Sequence, residues 1–167
     1  MADMSDRNWL EEIYREHRRP LFLTAWNVLR CPSLAEDAVH SAFVRLARLA
    51  APPRDLKLYA FRAVRNAAID LARGRDRRAE RLLDGVDLLD GEPLTVGPAM
   101  QDESLAAAET ALARLDDRSR EVVELHLHGE LTFQEIAALC GEPLPTVASR
   151  YRRALDKIRE SLEVFHE

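Results

Sequence analysis

Long apolar runs are missing from this sequence. No stretch approaches the roughly 20 residues that a helix needs to cross a bilayer. The opening "MADMSDRNWLEEIY" carries charge where a signal peptide would hold its apolar segment. The expected setting is therefore the cytoplasm, without membrane insertion. Aromatic residues are also scarce, at 6%, which suits small helical modules with Leu/Ala/Val cores better than a β-sandwich. The two cysteines, Cys31 and Cys140, are far apart and outside any CxxC pattern. They provide neither a disulfide framework nor a zinc signature and read as small buried thiols on helices. Catalytic constellations are missing as well: there is no Ser/His/Asp set, glycine-rich phosphate loop or carboxylate pair in a compelling context. His126 and His128 lie two apart, and on a helix such residues point about 200° apart and cannot share a metal. The sequence thus carries no expectation of catalysis, of a metal or of a cofactor.

What the sequence does have is charge, unevenly distributed. The whole chain carries a formal −5, which by itself disfavours a nucleic-acid partner. From Arg54 to Arg81, however, nine basic residues outnumber four acidic ones, a local +5. From Leu82 to Glu130 three basic residues face twelve acidic ones, a local −9, and Leu131 to Arg159 returns to +2, five against three. Separate basic surfaces joined by an acidic stretch fit contact with phosphate backbones better than the net charge does.

Apolar periodicity is helical throughout, so the expected fold class is all-α. Leu10, Ile13, Tyr14, His17 and Leu21 share one helical face, continued by Ala25, Val28 and Leu29, with Pro20 predicted to kink or restart the helix. Ser33 and Glu36 are spaced as a capping box for a second helix with Val39, Ala42, Phe43, Leu46 and Leu49 inward. A third helix, from about Asp55 to Arg73, turns Leu58, Phe61, Val64, Ala68 and Leu71 inward. Gly74 suits its end, although the arginine-rich continuation could remain helical. Between Asp84 and Glu103 glycine, proline and acid recur without period, the signature of a linker; Leu82, Leu83, Leu88 and Leu89 leave a short packed turn as the alternative. Two small helical domains follow, 8–81 and 104–163, joined by an acidic linker over 82–103. In the second, one helix ends near Leu115 and another runs from Asp116 or Asp117 to Gly129 on Val122, Val123 and Leu127.

"LTFQEIAALCGEPLPTVASRYRRAL", Leu131 to Leu155, holds the most specific signal. Thr132 and Glu135 make a capping box, with Leu131 and Ile136 as a hydrophobic staple. Gly141 supplies a left-handed residue at the helix end, and Pro143 forbids continuation. A new helix starts near Thr146, with Pro145 tolerated where an N–H has no partner. Two short helices around a tight Gly-containing turn form a helix-turn-helix. Val147, Tyr151, Ala154, Ile158 and Leu162 line one side of the second helix. Thr146, Ala148, Ser149, Arg152 and Arg153, with Arg150 at the flank, form a face suited to a DNA major groove.

With Glu135, Ile136, Ala137, Gly141, Pro143, Thr146, Val147, Ser149, Arg150, Arg153 and Ala154 in place, this stretch resembles the C-terminal helix-turn-helix of bacterial RNA polymerase sigma factors of the extracytoplasmic-function (ECF) type. "ALARLDDRSREVVELH" is similar to the helices that precede it in the family. "AEDAVHSAFVRL" resembles the helix that grips the β′ clamp helices of core polymerase, which implies polymerase contacts at Asp37, His40, Ser41 and Arg45. "YAFRAVRNAAIDLARGRDRR" resembles the segment that melts and reads the −10 promoter element, with Arg65, Asn66 and Asp70 matching. The resemblance covers about Leu10 to Leu162. It implies a σ2-like and a σ4-like domain, a transcription initiation function, and core RNA polymerase (β′ clamp helices and β flap) and promoter DNA as partners. An anti-sigma factor stays open. Arg62, Arg65, Asn66 and Arg73 are the expected −10 contacts, supported by Arg75, Arg77 and Arg78; of the aromatics, Phe61 reads as core and Tyr59 as core or stacking group. The chain departs from the family at His40 and Ser41, which replace the usual Gln-Glu, and at Pro145, Ala148 and Tyr151, which replace a usual glycine, lysine and leucine.

A one-domain regulator would leave the N-terminal half unexplained. A sigma-like decoy that titrates an anti-sigma factor without initiating transcription remains the alternative, because of His40 and Ala148. If 82–103 is a tether, limited proteolysis of the full chain should cut there first and release two stable fragments; earlier cleavage within either helical half would contradict the boundary.

Overall fold

In a computed structural model, residues 8–81 and 103–163 are described; they form seven helices and no strand. The chain divides into two compact units, Met1–Gly91 and Glu92–Glu167. The linker expected over 82–103 falls almost wholly outside the described residues, and α4 begins at Glu103.

The first unit is a three-helix bundle, α1 (Asn8–Leu29), α2 (Pro32–Leu46) and α3 (Leu56–Arg81), each packed on the other two. Helix α1 runs through Pro20 without restarting. Burial of Ile13, Leu21, Ala25, Trp26 and Leu29 on one stripe outweighs the one backbone bond the proline removes, and the Thr24 hydroxyl donates to the Pro20 carbonyl at 2.9 Å. The expected Ser33–Glu36 capping box does not form. Cys31 takes the N-cap with Pro32 in the first turn, because proline's fixed φ and missing N–H suit that position better than any other in a helix. Both cysteines are half-buried rather than enclosed. Helix α3 starts on Asp55, whose carboxylate accepts the Leu58 N–H at 3.0 Å. It passes Gly74 and continues to Arg81, well beyond Arg73. Phe61 and Val64 are completely enclosed, and a buried phenylalanine of this kind is worth about 3–5 kcal/mol against alanine.

The second unit comprises α4 (Glu103–Ala113), α5 (Asp117–Leu127), α6 (Phe133–Cys140) and α7 (Leu144–Glu163). Helix α7 packs against each of the other three. Leu115, Val123 and Ala154 are enclosed at the centre of one cluster, with Leu112, Tyr151 and Ile158 around it. Leu127, expected in the core, is 53% exposed; α5 ends there, and Leu125 takes the inward position instead. The Arg120 guanidinium closes the end of α4 by donating to the carbonyls of Leu112, Ala113 and Leu115, each at 3.0 Å. The Leu112 carbonyl also accepts the Leu115 N–H at 3.1 Å, and the guanidinium supplies donors to carbonyls at and just past a helix end, where intrahelical partners run out.

The break before α7 forms as its residues dictate. Thr132 and Glu135 make the full capping box, with Leu131 and Ile136 enclosed beside it. Gly141 is left-handed at φ 68°. Helix α7 starts at Leu144, slightly ahead of the expected Thr146, because the Pro143 carbonyl already accepts the N–H groups of Thr146 and Val147. A Cβ at Gly141 would meet nothing within 4 Å, so Gly141→Ala should cost only the left-handed backbone penalty, about 1 kcal/mol in urea denaturation.

Asp116 caps α5, accepting the Ser119 N–H at 3.0 Å and the Ser119 hydroxyl at 2.6 Å. The Ser119 hydroxyl foremost holds this carboxyl below the usual carboxylate range; burial opposes it, and the Ser119 N–H, Arg150 and Lys157 add to the lowering. A depressed folded-state pKa stabilises above the unfolded value, and that contribution is lost as pH falls through the folded one. Thermal melts should therefore show Asp116→Ala about 1 kcal/mol less stable at neutral pH and losing less stability than wild type on acidification below about pH 4.

Candidate nucleic-acid interface

The positive charge of Arg54–Arg81 is arranged by a single helix. Residues 62, 66, 73 and 77 fall within a narrow sector of α3 at 100° per residue, and Arg62, Asn66, Arg73 and Arg77 are all exposed. Arg78 is exposed too but lies about 100° round the helix from Arg77, and Arg77 Nε donates back to the Arg73 carbonyl at 3.3 Å. Fifteen residues at 1.5 Å each give this stripe a length of about 22 Å. Two of the expected residues stand apart from it. Arg65 is half-buried and engaged within the protein. Arg75 donates to the Leu29 carbonyl at 3.4 Å, closing the end of α1.

Beside the first turns of α3 lies a concavity of about 210 Å³, lined by Arg45, Leu46, Tyr59, Arg62, Ala63 and Asn66. Tyr59 is 42% exposed there, whereas Phe61, two residues on, faces the core. Arg45, grouped by sequence with the polymerase-facing residues, also borders this hollow. Its guanidinium lies 4.0 Å from Asp70 of α3, an exposed ion pair of little energetic weight. Asp37 and His40 are exposed on the outer face of α2 and Ser41 is half-buried. Val44, exposed at 40%, belongs to the same face. The sequence expectation for this face named polar residues alone and so left Val44 out, although its spacing of four from His40 marks it.

On α7, Arg152 and Arg153 are exposed, while Thr146, Ala148 and Ser149 are half-buried. The Ser149 hydroxyl donates to the Thr146 carbonyl at 3.1 Å, and Arg153 Nε donates to the Ser149 carbonyl at 3.3 Å. Arg150 departs from this face. Its Nε lies 3.5 Å from Glu142 Oε2 and its Nη1 lies 3.8 Å from Asp116 Oδ1. The next residue, Tyr151, packs on the adjoining flank against His126 and Phe133, with ring centroids 4.9 and 5.1 Å away. His126 is a packing residue, its Nδ1–H donating to the Leu131 carbonyl at 2.8 Å. Among the described residues no cluster of three or more His, Cys, Asp or Glu could hold a metal ion, and no helix is long and apolar enough to cross a membrane.

The chain matches the family description Sigma-70 region 2 over residues 13–78 and Sigma-70 region 4 over residues 111–160. It is 33% identical over 130 residues to the ECF RNA polymerase sigma factor RpoE of Cereibacter sphaeroides, covering 77% of this chain and 70% of the relative. It is 30% identical to the probable ECF RNA polymerase sigma factor SigI of Mycobacterium tuberculosis, over 95% of this chain and 57% of that one. The SigE counterpart from Mycolicibacterium smegmatis is 28% identical, with 91% and 61% covered. The chain thus spans less than two thirds of the latter two relatives. Among solved structures, the sigma factor RpoE in complex with the anti-sigma factor NepR from Bartonella quintana shares the fold, with a TM-score of 0.68, 24% identity and coverage of 95% of this chain and 98% of that one. With both sigma-70 regions matched in order on the two units just described, and a relative one-third identical across most of each chain, this protein belongs to the ECF family of bacterial RNA polymerase sigma factors.

Proposed function

We propose that this protein, as a promoter-directing initiation factor, divides its work among three surfaces. The outer face of α2, with Asp37, His40, Ser41 and Val44, meets core RNA polymerase. The α3 stripe, Arg62, Asn66, Arg73 and Arg77, tracks the separated strand of the −10 element. The α7 face, Thr146, Ala148, Ser149, Arg152 and Arg153, lies in the −35 major groove. The observation that carries this reading is the stripe: exposed cationic side chains aligned over about 22 Å of one helix can neutralise successive phosphates. The hollow beside it, with Tyr59 and Asn66, offers an aromatic face and an amide to a base drawn out of its stack. Arg45 belongs to that hollow as much as to the polymerase face.

The protein works where polymerase and chromosome are, in the cytoplasm. An anti-sigma factor is a further partner in this reading, by likeness to the Bartonella quintana complex. A decoy would need no stripe of exposed arginines, so the α3 face favours initiation.

The test uses promoter fragments enriched from a randomised library by core polymerase carrying this protein. Permanganate-reactive thymines should appear near the −10 element only when both are present. Arg62→Ala combined with Arg73→Ala should suppress that reactivity while leaving duplex binding at the −35 element in place. Arg152→Ala or Arg153→Ala should each lose about 1–3 kcal/mol of binding if it reads a guanine, or reduce the salt slope by about one if it holds a phosphate. Full strand opening by the α3 double variant, or wild-type affinity for both α7 variants, would remove the corresponding surface.

A further inference from the structure

Arg150 lies next to the face assigned to DNA, yet its surroundings are anionic. Glu142 sits in the turn between α6 and α7, and Asp116 is the N-cap of α5. The Arg150 side chain is only 24% exposed. Its Nε and the Glu142 Oε2 are both closed off from solvent and lack a hydrogen-bond partner. They meet at 3.5 Å, without hydrogen-bond alignment, so each charge is compensated chiefly by the other. Removing Arg150 would leave the enclosed Glu142 Oε2 without its counter-charge, the costly way to break such a pair, whereas removing Glu142 would leave Arg150 with Asp116 alone. One guanidinium therefore ties together three parts of the unit: the start of α5, the helix-turn-helix turn, and the second turn of α7. Two carboxylates face the guanidinium, with Lys157 a further cation near Asp116, so the Arg150 charge is already met by oxygens of the protein rather than left over for a phosphate.

We propose that Arg150 is a positioning residue. It sets the rotation of α7 about its axis, and so the aim of Arg152 and Arg153, without touching DNA. The position is suited to the task. Tyr151 anchors the adjoining flank against His126 and Phe133, so adjacent residues hold the helix from two sides about 100° apart. A rotation of that helix by a small angle displaces side-chain tips several bonds out from the axis far more than it displaces the backbone, and base-edge readout depends on the positions of those tips. The proposal rests on the reading of α7 as the recognition helix.

The experiment measures binding of the full chain, assembled with core polymerase, to the enriched promoter fragment and to the same fragment with its −35 segment scrambled, over a range of salt. Arg150→Gln should lower the affinity ratio between the two fragments about tenfold while leaving the slope of log affinity against log salt unchanged, since no phosphate contact is lost. Glu142→Gln should lower the ratio in the same direction, and the double variant should be no worse than Arg150→Gln alone, because both changes break one link. If Arg150→Gln fails to fold by circular dichroism, Glu142→Gln and Asp116→Asn, which keeps a capping side chain, carry the test through the same ratio. Equal weakening on both fragments with a slope reduced by about one would make Arg150 a phosphate contact and overturn the proposal. So would tighter binding of Glu142→Gln to both fragments. If Arg152→Ala and Arg153→Ala bind as wild type, the recognition-helix reading falls and this proposal with it. If they lose binding while Arg150→Gln keeps the wild-type ratio, only the Arg150 proposal falls.

Discussion

A helix that must pack against three neighbours and still present a face to a ligand has only part of its circumference for each task. Helix α7 is built to that constraint. Val147 and Ala154 are enclosed, with Tyr151 and Ile158 packed around the same core, while Arg152 and Arg153 remain in solvent. The buried stripe provides the stability, because short isolated helices are marginal in water and need tertiary packing to persist. The exposed stripe is then free to carry charge. Were α7 displaced, α4, α5 and α6 would lose the one element that all of them contact, and the second unit would lose its core along with the exposed face of Arg152 and Arg153.

The first unit meets the same constraint differently. Helix α3 buries Phe61, Val64, Ala67 and Ala68 against α1 and α2 and turns its arginines to the other side. Its arginines are not uniform in role. Arg75 closes α1 through the Leu29 carbonyl, Arg65 is drawn into the protein, and Arg62, Arg73 and Arg77 remain exposed. The same division recurs in the second unit, where Arg120 closes α4 and Arg150 is held between carboxylates. Guanidinium groups suit both uses, since their planar set of donors satisfies carbonyls at a helix end as well as oxygens on a partner. A count of basic residues therefore overstates the surface available to nucleic acid in a protein of this kind.

Much of this architecture was legible in order along the chain. Local rules account for the capped start of α6 at Thr132, the left-handed turn at Gly141 and the inward set Phe61, Val64 and Ala68, because each depends on neighbours within one or two turns. Local rules failed where packing competed with them. Pro20 sits inside a continuous helix because the bundle buries residues on both sides of it. Ser33 lost the cap to Cys31 because Pro32 claimed the first helical position. Leu127 followed helical spacing from Val123, yet in the last turn of α5 Leu125 takes the inward position and Leu127 is left exposed.

The sequence by itself determined the helices, most of their boundaries to within a few residues (the end of α3 excepted), the separation of basic from acidic segments and the family to which the protein belongs, since these are encoded in spacing, capping residues and charge along the chain. Only the tertiary structure decided what each arginine does. Whether a guanidinium meets solvent, a helix-end carbonyl or a carboxylate depends on groups brought near it by folding, such as Asp116, which lies 34 residues before Arg150 in the chain and 3.8 Å from it in space. Helical periodicity can say which side of a helix a residue occupies, but not which charge waits on that side.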